Sequence, residues 1–505
     1  MRRMLILIAS LTLVVCGLCA GAATWVWNAS ALDTAGRVAF VNRLAVPPLA
    51  PSRLDGEGRR VFDLHAAAGV YDFGGRTAPT WGFNGTYLGP TLRAARGERV
   101  AVNVHNGLTE ATTVHWHGMH LPAAMDGSPH QAVEPGRTWS PTWTVDQPAA
   151  TLWYHPHPHG ETATHVYRGL AGMFILDDPT TGTDLPHRYG IDDVPLIVQD
   201  RRFGRDGLDE EPRPFTDDIG FLGDTVVVNG TVAPYFDVTT ERVRLRLLNA
   251  SNARAYGFGL ADDREFAMVA SDGGWLPAPY RTTRLTLAPG ERAEIVVDLR
   301  AGERVVLRSS PPDLGLNPIG RRFVGGADTL DILELRAAAT LVPGPPLPGR
   351  LADLPAADAT ATVQHRTFRL AGHAINGKRM DMSRVDATVA PGSQEVWQVV
   401  NGDGAPHSFH VHGVDFRLLT ADGRTPPPEL AGWKDTLFLR PDVRYEILVD
   451  LPRYADPHVP YMFHCHVLEH EDRGMMGQFL VVDSVVGPGG TDPGLGASPH
   501  GGPHT

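Results

Sequence analysis

Hydrophobic and polar positions alternate along much of this chain with a period of two. Arg99-Val100-Ala101-Val102-Asn103-Val104-His105-Asn106, Val243-Arg244-Leu245-Arg246-Leu247-Leu248-Asn249 and Val396-Trp397-Gln398-Val399-Val400-Asn401 share this character. Alternation sends successive side chains to opposite faces, so each stretch predicts a β-strand with one buried side. Arg292 to Leu299 and Arg444 to Leu451 predict two more strands, each following a proline-containing turn.

The three strands that end in asparagine belong to a longer repeat. Upstream of each, an Asn-Gly pair follows an apolar stretch: Asn84-Gly85, Asn229-Gly230 and Asn376-Gly377. These asparagines are spaced by 145 and 147 residues, and the strand-ending asparagines follow them by 22, 20 and 25. A period that long is a repeated domain rather than a solenoid repeat, and period-2 strands with turns suit a β-sandwich. The chain's 505 residues are enough for about three domains of ordinary size. Abundant Pro (42) and Gly (55), scattered throughout, favour short strands joined by tight turns. The fold class predicted is all-β, with sandwich domains at 50–180, 190–337 and 362–486. Between the second and third, 338–361 carries Pro343, Pro345, Pro346, Pro348 and Pro355 and reads as an extended linker. The Gly- and Pro-rich tail 487–505, with His500 and His504, reads as disordered.

Charge narrows the function. Basic residues number 45 against 57 acidic ones, the net charge is -12, and no run of Lys or Arg forms a phosphate-binding face. Nucleic acid is therefore not expected as a partner. At the N-terminus Arg2 and Arg3 precede an apolar run from Met4 to Ala23 with small residues at Ala20-Gly21-Ala22. Residues 1–23 are either an export signal or an uncleaved membrane anchor, and Arg2-Arg3 is compatible with twin-arginine export. The expected location is periplasmic or secreted. Cys16 and Cys19 lie inside this segment, so the exported domain keeps one cysteine, Cys465, and no internal disulfide.

The histidines are not randomly placed. Twenty-two in this length would give His-x-His about once by chance, yet it occurs at 115/117, 155/157, 157/159, 410/412 and 464/466. On a strand, residues two apart share a face, so each pair aims two imidazoles at one place. A single pair is ordinary surface decoration, but four pairs beside Cys465 point to a metal cluster. Within His464-Cys465-His466 the imidazoles face one side and the thiol the other, so one strand would separate a cluster from a thiolate-bound metal. A thiolate, two imidazoles and a weak thioether form the ligand set of a blue electron-transfer copper. Cys465, His470 and Met475 offer three of its parts, and His407 can supply the second imidazole.

Four motifs carry a resemblance: His115-Trp116-His117-Gly118; Trp153-Tyr154-His155-Pro156-His157; His407-Ser408-Phe409-His410-Val411-His412; and His464-Cys465-His466 continuing to His470 and Met475. Together they resemble the copper motifs of three-domain multicopper oxidases, among which bacterial laccases and periplasmic cuprous oxidases look nearest. The resemblance implies three cupredoxin-like Greek-key sandwiches and four copper ions. One type 1 ion would take His407, Cys465, His470 and Met475, and one type 2 ion His115 and His410. The type 3 pair would take His117, His155, His157, His412, His464 and His466, and His159 would stay outside. The cluster would lie between the first and third repeats, with the second as spacer. Asp126 and Glu471 match positions that supply protons for reducing O2.

Some relatives in this superfamily have lost copper ligands and serve as structural or cell-division proteins, but this chain has the complete set. The reductant is expected to be a phenol or aromatic amine, oxidised in single electrons while O2 is reduced to water, as in a laccase. Cu(I) is the alternative. No methionine falls between Met268 and Met380, so the methionine-rich insert of the best-known cuprous oxidases is absent. Met380, Met382 and Asp403 nevertheless resemble the place of a substrate-copper site in that branch.

Overall fold

The computed structural model describes residues 16–21, 24, 26–180, 185–210, 219–355, 357, 359 and 364–483. The predicted export segment falls mostly outside them, as do the tail and its two histidines. Among the described residues no helix is long and apolar enough to cross a membrane.

Six sheets form three face-to-face pairs. In the first sandwich, strands Arg60–Asp72 and Arg99–Asn106 sit in one sheet and Ala150–His155 and Gly172–Asp177 in the other. Leu64, Val102, Trp116, Leu152 and Phe174 fill the space between them. The second sandwich packs Leu196, Leu245, Ile295, Leu307 and Leu333, and the third Trp397, Phe409, Ile447, Phe463 and Phe479. A separate cluster around Trp153, Met173, Ile197, Val227 and Leu248 seals the first sandwich to the second. The all-β expectation holds.

The threefold repeat has a common physical basis. In each copy the Asn-Gly asparagine sits at positive φ: 55° at Asn84, 49° at Asn229 and 52° at Asn376. Its carboxamide then bridges back to the preceding strand. Asn84 Oδ1 accepts from His65 N and its Nδ2 donates to Asp63 O, both at 2.7 Å. Asn229 does the same with Ile197 N and Pro195 O, and Asn376 with Arg369 N and Thr367 O. The strand-ending asparagines act alike: Nδ2 of Asn106, Asn249 and Asn401 each donates to two backbone carbonyls. Asparagine tolerates the left-handed region and carries both donor and acceptor, which is why this residue type recurs.

Two stretches extend the second sandwich beyond 190–337. Asn42–Arg43 pairs with the second sandwich, parallel to Pro234–Thr240. Strand Leu330–Val342 runs on into the proline-rich segment, where Leu351 is buried in the second core.

Candidate metal centre

The histidine motifs occupy neighbouring strands at the facing ends of the first and third sandwiches. His115–His117 runs antiparallel to Ala150–His155, pairing His115 with His155 and His117 with Trp153. In the third sandwich His407–Val411 lies beside Asp456–Cys465, pairing His410 with His464 and Phe409 with Cys465. All eight histidines of the four pairs are buried, whereas His159 is exposed. They gather as His115/His117/His410, His117/His155/His466 and His157/His412/His464, each trio with ring nitrogens within 4.8 Å of one another.

Hydrogen bonds on the outer ring nitrogens decide which atoms face inward. Nδ1 of His115, His155, His410 and His464 lies 2.8–3.1 Å from the backbone carbonyls of Asp126, Pro156, Asp435 and Cys465. His412 Nδ1 donates to Asp126 Oδ2 at 2.7 Å. With the proton held outside, Nε2 carries the lone pair. These lone pairs meet: His115 to His410 at 3.4 Å, His157 to His464 at 3.2 Å and His412 to His464 at 3.1 Å. Unprotonated nitrogens at such distances repel unless a cation lies between them. Two imidazoles roughly 2.0–2.1 Å from a shared ion would stand at about this spacing.

His117 is turned the other way. Its Nε2 lies 3.0 Å from both Asp435 Oδ1 and Thr436 Oγ1, and among the described residues its buried Nδ1 has no hydrogen-bond partner. The same holds for His155 Nε2 and both ring nitrogens of His466. Burial keeps the group neutral, lowering His157 and His464 to about 3 and His410 to about 4. Neutral imidazole is the form that binds metal.

The thiol lies on the opposite side of its strand, as alternation requires. Cys465 Sγ is 3.5 Å from His407 Nδ1 and 3.7 Å from His470 Nδ1, and those two nitrogens are 3.2 Å apart. Met475 is fully buried beside them, its carbonyl accepting the Cys465 N–H. Burial would raise the thiol, but His407 and His470 outweigh it and bring Cys465 down to about 6. Burial also opposes charge on His407, yet Asp403 and Cys465 push it up to about 9. The His407 Nε2–H donates to Asp403 Oδ1 at 2.9 Å, which leaves Nδ1 for a cation at the sulfur.

Asp126 serves two histidines, through its carbonyl and its carboxylate. Glu471 lies 3.4 Å from His157 Nδ1 and 3.1 Å from His464 Nδ1, and burial raises its carboxyl above the usual range. Asp403 touches His407, whereas Met380 reaches this region by its backbone, donating to Gly474 O beside Met475. Met382 is tied to Gln478 Nε2 through its carbonyl.

Sequence reasoning missed Asp435, Thr436 and Arg292. Asp435 Oδ1 accepts from Arg292 Nη1 at 2.6 Å and from Thr436 Oγ1 at 2.7 Å. Arg292 belongs to the second sandwich, and Ser408 donates to the carbonyl of Pro289 from the same region. That sandwich is therefore more than the spacer expected of it. The only sequence signal was a charged Lys434-Asp435 pair directly ahead of an apolar strand.

Comparisons with known proteins agree with this geometry. Multicopper oxidase family models match residues 66–181, 210–305 and 353–485. The chain is 39% identical over 451 residues to the cell division protein FtsP of Sodalis glossinidius, covering 88% of this chain and 93% of that one. It is 36% identical to the multicopper oxidase mco of Staphylococcus haemolyticus, with the same coverage of 88% and 93%. Among solved structures, the laccase-like multicopper oxidase CueO of Ochrobactrum sp. superposes with a TM-score of 0.79 at 39% identity, covering 87% of this chain and 100% of that one. The chain belongs to the multicopper oxidase family. Its three sandwiches are cupredoxin-like Greek-key domains, and membership implies copper binding and an oxidoreductase acting with O2 and a reducing substrate.

Proposed function

We propose that this protein is a laccase-like, exported multicopper oxidase that couples one-electron oxidation of phenols or aromatic amines to reduction of O2 to water. The observation that carries it is the set of facing imidazole lone pairs one strand away from the buried Cys465–His407–His470 group. The ligand sets divide as the motifs imply. Cys465, His407, His470 and Met475 would hold a type 1 copper, and His115 with His410 a type 2 copper. His117, His155 and His466 would hold one type 3 ion, and His157, His412 and His464 the other. Bound copper would supply the one-electron chemistry and the four-electron reduction of O2.

The chain's own residues prepare that chemistry. Asp403 fixes the His407 tautomer and covers the buried ring with a carboxylate that is 31% exposed. A donor approaching there meets the carboxylate, which is hydrogen-bonded to the imidazole beneath it. Asp126 sits against His115 and His412, and Glu471 against His157 and His464, so both acids border the His157/His412/His464 set and would hold protons for O2 reduction there. A cavity of ≈ 330 Å³ lined by Tyr167, Phe221, Asn252, Glu469 and Asp472 lies beside the helix Leu468–Asp472 that carries Glu471.

Oxidation of Cu(I) is the second reading, favoured by Asp403 on His407 with Met380 and Met382 on the adjoining segment. Soft Cu(I) prefers thioether ligands, but this chain has few methionines nearby. A purely structural role in cell division, the process named for the FtsP relatives, leaves the complete ligand set without a purpose. The test is oxygen uptake by copper-loaded protein with a phenolic donor and with Cu(I) at matched concentrations. Faster uptake with the phenol is expected; faster uptake with Cu(I) would replace the laccase reading with copper detoxification.

A further inference from the structure

We infer that Arg292, from the sandwich that contributes no ligand, is a positioning residue for the histidine cluster; this rests on the copper reading above. Arg292, Asp435 and Asp272 are all fully buried. The guanidinium makes five hydrogen bonds. Nη1 and Nη2 grip Asp435 Oδ1 and Oδ2 at 2.6 and 2.5 Å. Nη1 also donates to Gly290 O at 3.2 Å, Nη2 to Asp272 O at 3.1 Å and Nε to Thr151 O at 3.0 Å. That accounts for every N–H an arginine has, so the fork has a single orientation.

Three of its four partners, Asp435, Thr151 and Gly290, lead to the cluster. Asp435 holds His117 at Nε2, which turns its Nδ1 inward, while the Asp435 carbonyl holds His410. Thr151 lies on the strand that ends in His155. Gly290 sits at φ +85°, and a Cβ there would come within 2.9 Å of the His466 ring. One side chain thus ties together segments of all three sandwiches that carry or contact His117, His155, His410 and His466. The glycine after His117 fits this reading, because a Cβ on Gly118 would stand 2.5 Å from Asp435 Oδ2 and 2.7 Å from Arg292 Nη2. Lysine keeps the charge but has three donors on one point and cannot reproduce the fork.

The test compares full-length wild-type protein with Arg292→Lys and Arg292→Met, each loaded with copper and then dialysed against EDTA. Copper retained, the electron paramagnetic signal of non-blue Cu(II) and the blue absorption are measured. Loss of an outer residue that orients metal ligands weakens binding about 10–100-fold. Both variants are expected to lose copper from the histidine cluster to that extent, with an altered non-blue signal and unchanged blue absorption. Wild-type retention and an unchanged signal in either folded variant would overturn the proposal, as would equal loss of the blue ion from the lysine variant. Should the methionine variant not fold, the lysine variant decides by the same outcomes. Wild-type protein that binds no copper would instead overturn the copper reading itself.

Discussion

At the scale of single residues, the side chain that separates two kinds of chemistry here is Cys465. Its neighbours His464 and His466 turn toward the interdomain cluster while its own sulfur turns into the third core, between His407 and His470. Two imidazoles hold it near a thiolate in a site from which water is excluded. Serine in its place keeps the shape but offers neither the soft ligand nor the readily lost proton. Cys465→Ser is expected to abolish the blue absorption while the eight clustered histidines still take up copper, measured by visible spectroscopy alongside metal analysis. A variant with full colour would show that the blue ion sits elsewhere. The position of Cys465 among histidines two residues apart was readable from the sequence because strand alternation alone fixes which way each side chain points. Asp435 and Arg292 were not readable. Their contact joins residues 143 apart in the chain, and nothing in local pattern marks a charged residue as buried.

At the scale of elements, the Asn-Gly turn is what makes the three sandwiches alike. Each turn closes a strand onto the one before it, and the asparagine carboxamide satisfies one N–H and one carbonyl that would otherwise be left open. Asn229 is the most buried of the three, at 4% exposure. Leaving buried backbone groups unpaired costs about 1–3 kcal/mol, and a non-glycine residue without a bridging side chain pays about 1–2 kcal/mol more to stay left-handed. Asn229→Ala is therefore expected to lower the midpoint of thermal unfolding, and Asn229→Gly to lower it less, by calorimetry. An alanine variant that melts with the wild type would remove this account of the repeat. The turns were legible because Asn-Gly has few other uses after an apolar run. The strand Asn42–Arg43 was not, since two residues have no period to detect, and the strand Leu330–Val342 runs past the domain end expected at 337 because its backbone pairing continues into residues with no alternation.

At the scale of the whole molecule, the cluster exists only where sandwiches meet. His115, His117, His155 and His157 come from the first, His410, His412, His464 and His466 from the third, and the second braces both through Arg292 and the turn at Pro289 and Gly290. Neither ligand-bearing sandwich completes a trio by itself: each trio takes members from both. Sequence spacing revealed that two repeats share the ligands but could not reveal how three are held at one junction, because that depends on contacts between their ends. Such an assembly has one purpose in this reading, to reduce O2 fully without releasing partly reduced oxygen. The most direct measurement is the ratio of donor oxidised to O2 consumed by copper-loaded protein, with peroxide assayed in the same vessel. The account requires four one-electron donors per O2 and no peroxide. Two donors per O2 with peroxide accumulating, or no uptake by protein carrying its full copper, would contradict it.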